Sequence, residues 1–192
     1  MNESETGEGK SMIPEADIVF AKFWTRFAAY LLDSMIISII TLPVTYMNVT
    51  HWKLTPFFIL TAVVELAYKP FMEYRYGATL GKMAVGIKVV GHFLGKVSLA
   101  EELKRVSFYL IPAILQFVFT LRIYFNEAFK RITNFNEYNQ LVVALNPATF
   151  WIVVIVLILL IADVLVLLSN GENRALHDIY AGTYVVEKRS QY

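Results

Sequence analysis

Apolar runs alternate with short polar stretches along this chain. Four of the runs are long enough for a helix to cross a hydrocarbon core of about 30 Å, which takes about 20 residues. They cover about residues 25–47, 55–73, 105–125 and 149–169. The last, TFWIVVIVLILLIADVLVLLS, is almost wholly apolar, whereas the second, TPFFILTAVVELAYKPFME, holds Glu65, Lys69 and Pro70. Ser98-Leu99-Ala100-Glu101 has capping-box spacing, which predicts that the third helix starts at the membrane surface and runs over 98–125. Ahead of it, GATLGKMAVGIKVV reads as a short interfacial helix turning into a strand, with Gly91 and Gly95 marking a turn. AGTYVVEK near the C-terminus repeats the small-residue, glycine and Val-Val pattern, so two short strands are expected to pair near Val89 and Val185. Between the third and fourth helices, Phe129, Ile132, Phe135 and Tyr138 recur at helical spacing, and an amphipathic surface helix or a packed loop fits equally. The predicted fold is therefore an all-α membrane protein. It has four transmembrane helices and a small cytoplasmic-face hairpin or strand element over 20–188, between a flexible polar tail at 1–19 and a short tail at 189–192.

Composition agrees with a membrane protein: 57% of the 192 residues are hydrophobic, against about 45–50% in soluble domains. The formal net charge of +1 gives no reason to expect a nucleic-acid partner, and the absence of cysteine rules out disulfides and thiolate chemistry. Basic residues flank the spans unevenly. Lys22 and Arg26 precede the first; Arg75, Lys82, Lys88, Lys96, Lys104 and Arg105 lie between the second and third; Arg174, Lys188 and Arg189 follow the fourth. The positive-inside rule then places both termini in the cytoplasm. The nine glycines all fall outside the predicted spans, so no glycine-mediated crossing of those helices is expected.

Three carboxylates interrupt the apolar runs. Asp33 lies seven residues past Arg26, or about 10 Å deeper. Glu65 and Asp163 are expected at a similar depth in the second and fourth helices. At about 100° per residue, Arg26, Tyr30, Asp33, Ser34, Ser38, Thr41 and Thr45 share one arc of the first helix, which makes a polar stripe facing the bundle. A charge at mid-membrane costs about 2.5–3.5 kcal/mol, so such residues are paired or functional. Two readings stand. Asp33, Glu65 and Asp163, with the Ser34 and Ser38 hydroxyls, suit a monovalent cation or a proton. Alternatively, Glu65 pairs with Lys69 at i, i+4, hydroxyls hold Asp33, and the charges only tie the bundle together. Arg26 and Asp178 are expected at one membrane boundary as a structural or gating pair, with Arg174 one turn from Asp178 as a second cation.

Taken together, these motifs resemble the RDD family of small bacterial membrane proteins, named for one arginine and two aspartates. The matching residues are Arg26 and Asp33 in the first helix, Gly77-Ala-Thr79-Leu-Gly81-Lys82 after the second, Gly86-Ile-Lys-Val89-Val90, and Arg174-Ala-Leu-His177-Asp178 at the C-terminal end. The 126–148 loop and Asp163 lie outside that pattern. The resemblance implies a bacterial cytoplasmic-membrane protein of transporter-like character, with cation/proton exchange as the suggested activity.

Several signals fail. Gly77-x3-Gly81-Lys82 is one residue short of a phosphate-binding loop. His51, His92 and His177 have no metal-ligand spacing and read as surface or interfacial residues. No nucleophile–base pair is present, so no enzyme and no cofactor is expected. The leading expectation is transport of a small cation or solute, with or without proton coupling, through a carboxylate-lined site. The alternative is a non-transporting scaffold or accessory subunit that binds other membrane proteins. Four helices make a thin wall for a pathway, so a homo-oligomer or a membrane partner is expected alongside the lipid bilayer.

Overall fold

A computed structural model describes residues 18–188; the tail expectations for 1–17 and 189–192 lie outside the described residues. The protein is mostly helical with one small sheet. Four long helices, α1 (Phe23–Met47), α2 (Thr55–Tyr76), α4 (Leu99–Tyr124) and α6 (Ala148–Ser169), are joined by short elements at two ends of the bundle. Three of them are long and apolar enough to cross a membrane: α1 continued to Trp52, α4 and α6. Helix α2 has the length but carries Glu65, Lys69, Glu73 and Arg75, so the expected count of four spans is met here by three.

One end is built on the sheet. Gly77 closes α2 in the left-handed conformation, φ 74°, which a side chain would strain. Thr79 then caps the short α3 (Leu80–Ala84) by accepting from the Lys82 N–H. The chain enters β1 (Ile87–Val90), which pairs antiparallel with β2 (Tyr184–Glu187), Val89 opposite Val185. The expected strand pairing is thus present. Both edges of the sheet are covered: Ala21 N–H donates to Val185 O, and Val89 N–H donates to Gly77 O. Ala21, Ala29, Ile87, Val89, Val97 and Val185 form the apolar core beneath. Ser98 and Glu101 complete a capping box at the start of α4, and α7 (Leu176–Ala181) leads from α6 into β2.

The opposite end is aromatic. The last turn of α1 widens into a π-helical turn, Asn48–Trp52. Buried Asn48 donates to Tyr124 Oη at 2.9 Å and exchanges two hydrogen bonds with the Leu54 backbone. Val49, Ile123, Tyr124, Phe129 and Ile132 pack around it. Phe129 sits in a 3-10 turn, Glu127–Arg131, and α5 (Phe135–Leu145) follows. The apolar period read over 129–138 therefore splits between a packed turn and a surface helix.

Candidate functional site

The charged residues of the sheet end fall into three connected groups. The first answers why α1 carries Asp33. Its carboxylate accepts from Tyr68 Oη at 2.7 Å, from Thr79 Oγ1 at 2.5 Å and from the Gly81 N–H at 2.7 Å. Asp33 therefore anchors the 77–82 segment to α1. Gly81 makes this contact close: a Cβ there would stand 2.2 Å from the Ala29 carbonyl oxygen. The expectation concerned glycine-mediated crossing of the spans themselves, and Gly81 lies outside them. The spans lack glycine, but a short helix outside them brings one against α1. Ser34 and Ser38 are half-buried on α1 and make no side-chain hydrogen bond to Asp33 among the described residues.

The second group is a chain of buried ions across five helices. Arg26 on α1 meets Asp178 on α7 at 2.5 Å. The other oxygen of Asp178 takes Arg105 of α4 at 3.0 Å. Arg105 also pairs with Glu73 of α2, and Glu73 takes Lys82 of α3 at 2.7 Å. Glu102 lies 3.5 Å from Arg105. Glu73 and Asp178 are fully buried and Arg105 and Glu102 nearly so. Burial would raise the proton affinity of Asp178, but His177, Arg105 and Arg26 around it hold the carboxyl well below the usual carboxylate range. Burial pushes Lys82 down to about 8, against the pull of Glu73. Asp178 has two arginine partners, but the second is Arg105 rather than Arg174. Arg174 donates to the Thr183 and Asp178 backbone carbonyls and lies 4.2 Å from the Tyr184 ring centroid.

The third group surrounds Asp163 on α6. Both carboxylate oxygens are 2.9 Å from His177 Nδ1, the His177 N–H donates at 3.2 Å, and Tyr109 Oη donates at 3.2 Å. His177 Nε2 is 3.4 Å from Asp178, which links this group to the ion chain. Burial pushes the imidazole down from its ordinary value, against Asp178 and Asp163. The sequence reads His177 as a surface or interfacial residue; the structure sets its largely buried side chain between two carboxylates.

Glu65 joins none of these groups. It is exposed at the middle of α2, and among the described residues it has neither an ion pair nor a hydrogen bond. Lys69, its expected i, i+4 partner, lies 5.4 Å from the centre of the Tyr109 ring. The three mid-helix acids Asp33, Glu65 and Asp163 therefore do not share a site. Among the described residues no cluster of three or more His, Asp or Glu groups is placed to hold a metal ion. Sequence reading missed Glu73, Glu102 and Arg105 as site members because they sit at helix ends, where charge is ordinary. The available signal was the pair of near-neighbour charges on α2 and α4, Lys69/Glu73 and Glu102/Arg105.

Comparison with known proteins adds a family. Residues 20–182 match the RDD family. The uncharacterized membrane protein YteJ of Bacillus subtilis (strain 168) is 35% identical over 83 residues, which cover 37% of this chain and 49% of YteJ. The match thus spans about half the length of that relative. No solved structure matches.

Proposed function

Because the chain belongs to the RDD family and is a membrane protein, we propose that it is a non-transporting, non-enzymatic membrane scaffold. In this reading α2 is the fourth spanning helix, and its face around Glu65 binds another membrane-embedded chain. The observation that carries it is Glu65: an exposed carboxylate at mid-helix, without a partner among the described residues and flanked by exposed Val63, Val64 and Leu66. Left against lipid it costs about 2.5–3.5 kcal/mol, which a partner with a hydrogen-bond donor or a cation offsets. Asp33 offers no such opening, since three donors already fill it. The exposed Lys22, Arg75, Lys88, Lys96 and Lys104 at the sheet end support a cytoplasmic orientation for that end and for both termini, in a bacterial cytoplasmic membrane.

A second reading, movement of protons or a small monovalent cation by an oligomer, is favoured by the titratable Asp163–His177 pair. One preparation separates the two. Under the scaffold reading, protein purified in mild detergent runs as an assembly larger than the 22.0 kDa chain. Glu65→Leu releases the monomer, and proteoliposomes show no pH- or Na⁺-dependent flux. A wild type that carries such a flux, abolished by Asp163→Asn, overturns the scaffold and establishes transport.

A further inference from the structure

The turn between β1 and α4 carries Phe93, which at 91% is the most exposed large apolar side chain among the described residues. The turn is not slack. Gly91 N–H donates to Gly95 O at 3.0 Å, and Leu94 N–H donates to Gly91 O at 2.9 Å. Glu101, in the first turn of α4, accepts from the His92 N–H at 3.0 Å and from the Ser98 N–H and hydroxyl at 2.7 Å each. Backbone bonds thus hold the Phe93 ring out beside the start of a spanning helix. The charges along this stretch have one sign. Over residues 70–105 the exposed charged side chains are Arg75, Lys88, Lys96 and Lys104, all basic, while Glu73 and Glu102 are buried and both oxygens of Glu101 are taken inside the turn.

Helix α4 continues the apolar side of this surface. Leu99, Leu103, Leu110 and Ile114 are exposed and fall within about 60° of one another at 100° per residue, so the stripe that meets lipid in the span runs out to the turn. The helix has 26 residues. That is about 39 Å against a hydrocarbon core of about 30 Å, which leaves its ends at headgroup depth. We propose that residues 91–104 anchor the protein to anionic lipid headgroups: Lys96 and Lys104 face the headgroup charge, and Phe93 enters the boundary between headgroups and acyl chains. Lysines alone would suit an acidic protein equally; the continuity of the patch with the lipid-facing stripe of α4 favours lipid. Lys104 directly precedes Arg105, which holds both acids of the ion chain, so the anchor fixes the depth of that chain in the membrane. The inference holds for either function proposed above and needs only that α4 crosses the bilayer.

The chain has no cysteine, and a Cβ added at Gly95 meets no atom within 4 Å. Gly95→Cys therefore takes a fluorescent label while Phe93 and both lysines stay in place. Full-length protein is placed in phosphatidylcholine nanodiscs that hold a small, equal fraction of nitroxide-bearing phosphatidylglycerol or nitroxide-bearing phosphatidylcholine. Both lipids are expected to quench the label, phosphatidylglycerol more strongly. Lys96→Gln with Lys104→Gln should remove most of that preference, each lysine carrying up to about fivefold. Phe93→Ser should lower the quenching by both lipids. A label at Phe150→Cys, 65% exposed and with no charged residue between 138 and 162, should be quenched equally by the two. A label at position 95 that aqueous iodide quenches and neither lipid does sets the turn in water, as a protein-binding loop would be, and overturns the proposal. Equal quenching by the two lipids, a preference that survives loss of both lysines, or quenching untouched by Phe93→Ser overturns it as well.

Discussion

A single methyl group at Gly81 tests how closely α3 is seated on α1. Its Cβ would meet the Ala29 carbonyl oxygen at 2.2 Å and the Asp33 N–H nitrogen at 2.8 Å, both backbone atoms that cannot step aside. Gly81→Ala is expected to cost about 1–3 kcal/mol, read as a lower melting temperature in detergent. Gly95→Ala, with no atom within 4 Å of the added Cβ, should stay within about 0.5 kcal/mol of wild type. Asp178 makes a different prediction. Its folded carboxyl is held below the ordinary 3.8, so its stabilising effect is fully present above that pH and is lost as pH falls below it. Asp178→Asn should therefore cost about 3–5 kcal/mol near neutrality. The gap to wild type should shrink in denaturant titrations carried toward pH 3. The pairing of Asp178 with Arg26 was legible in the sequence because both fall at one predicted membrane boundary. His177 was not legible, since a neighbour in sequence says nothing about the second carboxylate that α6 brings from fourteen residues away.

At the scale of elements, the expectations that held rest on local chemistry. The capping box at Ser98 acts within one turn, and the paired strands share a repeated pattern of small and β-branched residues. The hydrogen bonds sharpen the pairing. Val89 N–H and Val185 C=O both point away from each other's strand, to Gly77 and Ala21. Val89 and Val185 thus form the closer, non-hydrogen-bonded kind of antiparallel pair, with Cα atoms about 4.5 Å apart. Val89→Cys with Val185→Cys should form a disulfide under mild oxidation, seen as a non-reducing gel shift and a mass loss of two hydrogens. The pair Lys88→Cys with Val185→Cys, on opposite faces of the sheet, should not. What sequence did not give was the facing of α2. On the helical period Thr61, Glu65, Tyr68 and Lys69 fall on one arc of α2, yet Tyr68 reaches Asp33 and Lys69 reaches Tyr109 while Glu65 is left exposed. Periodicity defines an arc; the neighbouring helices decide which part of it they cover.

For the whole molecule, the ion chain sets how the bundle is tied together. Arg26, Asp178, Arg105, Glu73 and Lys82 alternate in sign from α1 to α3, and Arg105 holds both acids. Removing one member strands buried charge, so Arg105→Met should cost about 3–5 kcal/mol. Replacing Glu73 and Arg105 together by Leu and Met should cost less than the two single changes summed, and a double-mutant cycle on denaturant stability measures the difference. The expected similar depth of Asp33, Glu65 and Asp163 rests on counting residues along each helix. Which carboxylate meets which cation depended on α3 and α7, short helices with no periodic signature. The same chain of ions also carries an order in time. Arg26 leaves the ribosome long before Asp178, and β2, which closes the sheet against residues 19–21, comes later still. Arg26 therefore waits through most of translation for the anion it shares with Arg105, and the sheet end can close only after α6 has been made. A ribosome stalled just short of Asp178 would hold a chain with every long helix present and its lock still open.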